Sequence, residues 1–238
     1  MYVGIDGCRG GWFCVELGRR DAWAFSILPV DGVATVARSA KVVLIDIPIG
    51  LLDAGPDERT CDREARRLLA PKRGSSIFPA PARMTLRAHT YPQALAINRR
   101  VTARGLSRQS WAIAPKIKAI DDLLKTDARL RAVLRECHPE ICFRALNGGK
   151  SMRHNKKTAA GRRERLVILR RFLPAADELY EKARESCRRQ QVALDDIIDA
   201  MVAAVTARQG DGNYRTLPAR PAHDATGLAM EMVFWVPS

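Results

Sequence analysis

The sequence predicts an α/β protein whose sheet combines antiparallel and parallel strands. Three observations lead to this fold class: strand-like segments at the N-terminus, a continuous β-branched run at residues 42–47, and amphipathic segments of helical period further along the chain. With 238 residues, 47% of them hydrophobic, the chain is long enough to bury a sizeable core as one large domain or one domain with an inserted subdomain.

The N-terminal run predicts a buried strand that ends in a carboxylate. Tyr2, Val3 and Ile5 are apolar, Asp6 follows them, and three glycines at positions 7, 10 and 11 then indicate a tight turn. An aspartate on a buried strand is rare unless its charge is hydrogen-bonded, paired or bound to a cation. The alternative is a plain hairpin turn that Asp6 caps.

A second carboxylate ends the next buried strand. Residues 13–17 and 23–28 continue an antiparallel meander from the first strand, and residues 42–47 form a run typical of a strand buried on both faces. If this strand lies parallel to the first, only about 4.8 Å away, Asp6 and Asp46 come close together. Two such carboxylates repel each other unless a cation lies between them, and Mg²⁺ or Mn²⁺ suits oxygen ligands.

A third acidic position lies on the predicted helix at residues 192–208. Asp196 and Asp199 are three residues apart and share one face, flanked by Ala200 and Ala203, which are small enough to allow close approach to a sheet. The alternative is an ordinary amphipathic helix whose acids are solvated near its N-terminus, where the helix dipole favours them.

The charge of the chain favours a polyanionic partner. Forty Lys and Arg residues against 26 Asp and Glu residues give a net charge of +14, which is typical of proteins that bind nucleic acid, although solubility alone could explain it. The cations concentrate in a Pro-rich, Ser-bearing loop at residues 71–87 and in a loop and helix at residues 150–172. Each segment could instead be an ordinary solvated surface.

The cysteine spacing and the distribution of apolar residues exclude several classes of site. Six scattered cysteines form no CxxC pair, so neither a zinc ribbon nor a dithiol redox centre is indicated, and reduced thiols are expected. No apolar run approaches the length of a membrane span, so we expect a cytoplasmic protein without membrane contact.

We predict a structural role for His138, a loop at residues 210–226, and an edge strand or packed tail at residues 228–236.

Six ordered blocks of sequence together resemble the DUF429 family, which is described as predicted nucleases with a ribonuclease H-like fold. The blocks are GIDGCRGGW from Gly4, DIPIGL from Asp46, CDREAR from Cys61, RGSSIFPAPAR from Arg73, ECHPE from Glu136 and DDIIDA from Asp195. The resemblance implies a five-stranded mixed sheet, with three antiparallel strands and then parallel strands, flanked by helices. It also implies one ribonuclease H-like domain over residues 1–238, with a helical and loop insertion around residues 57–190.

The resemblance further implies a metal-dependent phosphodiesterase. By its pattern Asp6, Asp46, Asp196 and Asp199 bind two Mg²⁺ or Mn²⁺ ions and catalyse hydrolysis, with Asp195 as a substitute for one helix acid and Glu140 as a fifth acid. Contacts with substrate phosphates are expected from six residues: Arg9, Arg73, Ser75, Ser76, Lys116 and Lys157. The expected partner is DNA or RNA, and the choice between them, the mode of cleavage, the binding of one or of two metal ions and the oligomeric state stay open.

Two other functions stay open from the sequence. A nucleic-acid-binding protein could keep the fold without catalysis, in which case no carboxylate-dependent Mn²⁺ site is expected. An actin-like phosphotransferase also begins with an acid and a glycine turn, but it needs a second phosphate-binding turn. Here Asp211-Gly212 is the nearest match after residue 150, and it lies in a predicted loop.

Overall fold

The computed structural model describes residues 1–19 and 22–237, and these form strands and helices in alternating groups. The strands are β1 (Tyr2–Cys8), β2 (Gly11–Leu17), β3 (Trp23–Leu28), β4 (Val42–Ile45), β5 (Leu134–Glu136), β6 (Arg215–His223) and β7 (Ala229–Phe234). The helices are α1 (Val33–Ser39), α2 (Thr60–Leu69), α3 (Tyr91–Thr102), α4 (Arg108–Ala112), α5 (Ala114–Thr126), α6 (Ala128–Arg131), α7 (Pro139–Leu146), α8 (Ala159–Leu169), α9 (Ala176–Ser186) and α10 (Leu194–Gln209).

The chain divides into two compact units. The first comprises residues 1–47, 129–215 and 233–238, and it holds the large sheet with α1 and α7–α10. The second comprises residues 48–128 and 216–232, and it holds α2–α5, two short 3-10 helices and most of the β6–β7 ribbon. No helix among the described residues has both the length and the apolarity to cross a bilayer.

The large sheet of the first unit confirms the predicted architecture. Its strand order is β3-β2-β1-β4-β5, with β1–β3 antiparallel and β4 and β5 parallel to β1. In the β1–β4 pair, Gly4 lies opposite Leu44 and Ile5 opposite Ile45. This order and these directions agree with the ribonuclease H-like architecture that the resemblance implies, and they make β1 the central strand.

Strand β1 continues further than the sequence pattern indicates. Gly7 and Cys8 still pair with β2, so the turn consists of Arg9 and Gly10 alone, and Asp6 lies within the strand opposite Phe13. The prediction that the strand ends at Asp6, and the alternative that Asp6 caps the turn, are therefore both wrong. A central strand holds Asp6 more rigidly than a turn does, since it is bonded on both sides.

Helix α10 packs directly on β1 because position 4 is a glycine. A Cβ atom on Gly4 would lie 2.1 Å from the backbone nitrogen of Ala204 and 2.2 Å from the carbonyl oxygen of Ala200, so any side chain there would force the helix away. Ala200, Ala203 and Ala204 are fully buried at this contact. The predicted close approach of a small-residue helix face to the sheet is confirmed.

Two predictions about the C-terminal half need correction. The loop predicted at residues 210–226 is wrong, because residues 215–223 form β6, whose prolines are tolerated in a two-stranded ribbon with an open edge. Helix α9 is absent from the sequence-based prediction, although Ala176, Leu179, Tyr180 and Ala183 are buried at helical spacing. The turn predicted at residues 18–21 lies partly outside the described residues.

Candidate functional site

Two of the predicted acids lie side by side on the central strands of the first unit. Asp6 is on β1, and Asp46 directly follows β4, with its backbone N–H donating to the carbonyl of Ile5 at 3.0 Å. Because side chains alternate along a strand, Asp6 points to the same face as Gly4, which is the face that α10 covers. Asp46 shares the face of Leu44 for the same reason. Asp6 is only 7% exposed.

Helix α10 brings its acids to the same face. Gly4 contacts Ala200 and Ala204 of α10. Asp6 lies two residues, or about 6.6 Å, beyond Gly4 on β1, and Asp196 lies four residues, or about 6 Å, before Ala200 on α10. Asp6 therefore lies beside the first two turns of α10, which carry Asp196 and Asp199. Asp199 is 1% exposed, so the alternative that this acid is solvated is wrong.

Asp196 has a second task at the start of the helix. Its Oδ2 accepts a hydrogen bond of 2.9 Å from the backbone N–H of Ala193, which is the residue that caps α10. This bond satisfies a donor that the helix leaves unpaired and fixes the carboxylate in the first turn. One carboxylate oxygen of Asp196 is thus engaged by the helix end itself.

Lys156 enters the group of acids from the loop before α8. Its Nζ donates to Oδ2 of Asp199 at 2.5 Å and lies 3.6 Å from Oδ2 of Asp195. Although burial alone would lower the pKa of Lys156, the charges of Asp199 and Asp6 raise it, so the side chain is an ammonium ion. A single positive charge therefore lies among the aspartates.

Glu140 completes the group from the first turn of α7. Arg165, which is fully buried on α8, forms an ion pair with Oε1 of Glu140 and also donates to the carbonyls of His154 and Gly161 at 3.2 and 3.1 Å. Oε2 of Glu140 is buried without a hydrogen-bond partner, and so is Oδ1 of Asp199. Buried carboxylate oxygens without a donor are costly and call for a cation or a proton.

The positive charges at the site do not fully offset the charge of these acids. Burial, reinforced by the charges of Asp46 and Asp199, raises the pKa of Asp6 well above its ordinary value. Burial raises the pKa of Asp46 to about 6, against the opposing effect of Lys156 and with a further increase from Glu140. Burial likewise raises the pKa of Asp196 to about 6, and it raises the pKa of Asp199 despite the ion pair with Lys156.

The residue set fits a divalent cation, although Lys156 holds part of it. Mg²⁺ and Mn²⁺ take carboxylate oxygens, and here the carboxylates of Asp6, Asp46, Asp199 and Glu140 act on one another through their charges. Among residues 1–19 and 22–237, no three His, Cys, Asp or Glu side chains are already arranged as a metal centre. At Asp199 an ammonium group lies against the carboxylate.

The residues predicted to contact phosphate are divided between the two units. Arg9, in the β1–β2 turn, and Lys157, next to Lys156, are exposed in the first unit. Arg73, Ser75, Ser76 and Lys116 lie in the second unit. Ser76 Oγ donates to the carbonyl of Arg73 at 2.8 Å, so this hydroxyl closes a turn of its own loop.

Sequence reasoning missed three residues that build the site, namely Gly4, Lys156 and Arg165. Gly4 was visible as a glycine within an apolar strand, a pattern that indicates close approach of another backbone. Lys156 was indistinguishable from Lys157 within a run of cations. Arg165 occupies a buried position of α8. The complete burial of an arginine could not be predicted without knowing that Glu140 lies opposite it.

Comparison with known proteins identifies a family without naming an activity. A family model described as "Protein of unknown function (DUF429)" matches residues 4–223, and these include every acid of the site. Searches of curated proteins and of solved structures found no significant match. Since the matched region covers nearly the whole chain, the protein belongs to the DUF429 family.

Proposed function

We propose that this protein is a metal-dependent nuclease that hydrolyses phosphodiester bonds in DNA or RNA by a two-metal-ion mechanism. The observation that carries the proposal is the convergence of Asp6, Asp46, Asp199 and Glu140 on one face of the sheet, with buried carboxylate oxygens that have no donor. Folding does not bring several acids together in this way for stability, because their mutual repulsion works against it. A function that requires a cation explains the arrangement.

The side chains of the cluster would hold Mg²⁺ or Mn²⁺ and orient it. Asp6 and Asp46 are fixed by central strands, Asp196 and Asp199 by the start of α10, and Glu140 by its ion pair with Arg165. When bound, the divalent ions would lower the pKa of the water that attacks phosphorus and stabilise the leaving oxygen. The burial of these carboxylates limits access of bulk water, which would strengthen their attraction for a bound divalent ion.

Exposed cations at the edge of the site support a nucleic acid as substrate. The N–H of Gly10 donates to the carbonyl of Gln191 at 2.9 Å, which joins the Arg9 turn to the segment before α10. Arg188 and Arg189 are exposed in that segment, and Arg153 and Lys157 are exposed on either side of Lys156. Cations flanking a carboxylate site suit a polyanion that must be held while one phosphate reaches the acids.

Cleavage assays with acid-to-amide variants test the proposal. Purified protein is incubated with Mn²⁺ and labelled single-stranded, duplex, hybrid and branched substrates, beside Asp6→Asn and Asp199→Asn. We expect cleavage of at least one substrate and a loss of at least about a hundredfold in either variant, because metal-assisted stabilisation amounts to several kcal/mol.

The control for these assays is Asp177→Asn, which removes an exposed carboxylate that pairs with Arg170 on the surface of the same unit. Its cleavage rate should match that of the wild type. Cleavage that persists at the wild-type rate in both Asp6→Asn and Asp199→Asn would contradict the proposal.

A nucleic-acid-binding protein without catalysis is the second candidate, favoured by the contact of Lys156 with Asp199. In such a protein the ammonium would serve as the permanent counter-charge of the acids. Binding of nucleic acid without any carboxylate-dependent binding of Mn²⁺ would favour this candidate. For either function we propose a cytoplasmic location, which the six free cysteines support.

A further inference from the structure

The loop that carries Lys156 is held in place by contacts that do not involve the aspartates of the site. Residues 153–158 are called the lysine loop below. The carboxylate of Glu164 accepts hydrogen bonds from the backbone N–H groups of Arg153 and His154 at 2.8 and 2.9 Å. Nη1 of Arg165 donates to the carbonyl of His154 at 3.2 Å. The side chains of α8 thus fix the start of the loop.

The end of the lysine loop is fixed at the start of α8. Oγ1 of Thr158 donates to the carbonyl of Asn155 at 2.8 Å and accepts from the N–H of Gly161 at 3.0 Å. A Cβ atom at position 161 would lie 1.9 Å from the Asn155 oxygen, so glycine is required there. The loop is therefore built to direct Lys156, and not its neighbour Lys157, at the acids.

Lys156 satisfies only part of the acidic cluster. Its Nζ binds Oδ2 of Asp199, while Oδ1 of Asp199 and Oε2 of Glu140 are buried without partners. An ammonium carries one charge and three donors, whereas a divalent ion carries twice the charge and accepts six oxygen ligands. The Lys156 side chain is also 36% exposed, so it can leave the cluster by rotating about its own bonds.

We propose that the ammonium of Lys156 occupies the cation position of this cluster in the metal-free protein and competes with Mg²⁺ or Mn²⁺ for the carboxylate of Asp199. The inference rests on the metal site of the proposed function and adds an internal competitor to it. Lys156 offsets part of the negative charge of the acids until a divalent ion arrives. Once displaced, its charge becomes available at the edge of the site, where a substrate phosphate would approach.

Calorimetric titration with Mn²⁺ tests the competition directly, without any assay of activity. The proteins are the wild type, Lys156→Met, and Lys157→Met as a matched control that removes the same charge from the adjacent position. We expect Lys156→Met to bind Mn²⁺ at least about tenfold more tightly than the wild type, because no ammonium has to be displaced. Lys157→Met should bind like the wild type.

The outcomes separate this inference from the proposed function. Tighter binding by Lys156→Met alone supports the inference, as does binding by Lys156→Met where the wild type shows none. Equal or weaker binding by Lys156→Met than by the wild type overturns the inference and leaves the metal site standing. Absence of Mn²⁺ binding in every protein overturns both.

A second measurement uses the wild type and does not depend on the folding of a variant. Lysine acylation followed by mass spectrometry compares Lys156 with Lys157 in chelator and in saturating Mg²⁺. We expect Lys156 to react slowly in chelator and several-fold faster with Mg²⁺, while Lys157 reacts equally in both. An unchanged rate at Lys156 with the ion bound would overturn the inference.

Discussion

At the scale of single residues, two adjacent lysines show how much the environment of a side chain matters. Lys156 lies among carboxylates and Lys157 is exposed, although the sequence presents them as equal members of a basic run. The sequence analysis names Lys157 as a contact for substrate phosphate, and the structure places its neighbour Lys156 against Asp199. A shift of one position changes the direction of a side chain completely, and only the packing of the loop decides which lysine points inward.

The acids of the site should make the metal-free protein less stable as the pH rises. Burial raises the pKa of Asp46 to about 6, above the ordinary 3.8, so the folded protein binds this proton more tightly than the unfolded chain does. The stabilisation is complete below the ordinary pKa and disappears as the pH rises through about 6. Asp6 and Asp199, whose pKa values are also raised, act in the same direction.

Asp46→Asn should therefore stabilise the metal-free protein at neutral pH. In chelator at pH 7.5 we expect the variant to melt a few degrees above the wild type, because it buries an amide where the wild type buries a charge. At pH 4 the two melting temperatures should be nearly equal. Thermal melts over this range check the prediction, with Asp177→Asn as an exposed control, and a lower melting temperature for Asp46→Asn at pH 7.5 would contradict it.

At the scale of elements, the packing of α10 on β1 sets the geometry of the site. Gly4 allows the backbone of the helix to touch the strand, and this close approach fixes how far Asp199 lies from Asp6. Helix α10 is buried on all sides from Ile197 to Ala207, because the sheet covers one side and α7, α8 and α9 also pack on the helix. The relative positions of Asp6 and Asp199 thus depend on an uncharged contact between Gly4 and the backbone of α10.

Gly4→Ala should destabilise the first unit and weaken the site at once. The added methyl group would meet backbone atoms of Ala200 and Ala204, which cannot rotate away, so we expect the free energy of unfolding to fall by about 3 kcal/mol. Urea unfolding measures this decrease, and Mn²⁺ titration of the folded variant should show weaker binding. Gly105→Ala is the control, since nothing lies within 4 Å of its Cβ position. Equal unfolding midpoints for the two variants would contradict the role of Gly4.

At the scale of the whole molecule, the charges that sum to +14 are distributed unevenly. In the first unit Asp6, Asp199 and Glu140 are buried and the other acids of the site are half-buried. Five cations of the same unit are exposed, namely Arg9, Arg153, Lys157, Arg188 and Arg189. We expect the exposed cations to attract a polyanion and the acids to offer a negative site for a metal ion. Composition alone predicts the attraction, and the fold places the acids apart from the exposed cations.

Charge reversal at the edge of the site should weaken binding of nucleic acid. We expect Arg189→Glu to reduce the affinity for a labelled oligonucleotide, and to lower the slope of log affinity against log salt by about 0.7 to 0.9 for each phosphate that the variant no longer neutralises. Arg171→Glu is the matched control, an exposed arginine beyond the far end of α8 from the lysine loop. Fluorescence anisotropy across a salt series measures both, and an equal decrease in affinity for the two variants would contradict a defined path for the substrate.

Local patterns in the sequence were sufficient to predict the periodic features of this protein. Alternation and β-branched runs placed β1 and β4, the acid spacing and small residues marked α10, and the family resemblance supplied the strand order. These features follow from local chemistry, because backbone geometry sets the period of a strand or helix. Three interactions became visible only in the folded protein: Lys156 pairs with Asp199, Arg165 pairs with Glu140, and Gly4 allows α10 to approach β1 closely. Such interactions join residues far apart in the chain, and no local pattern encodes which partner a charge will meet.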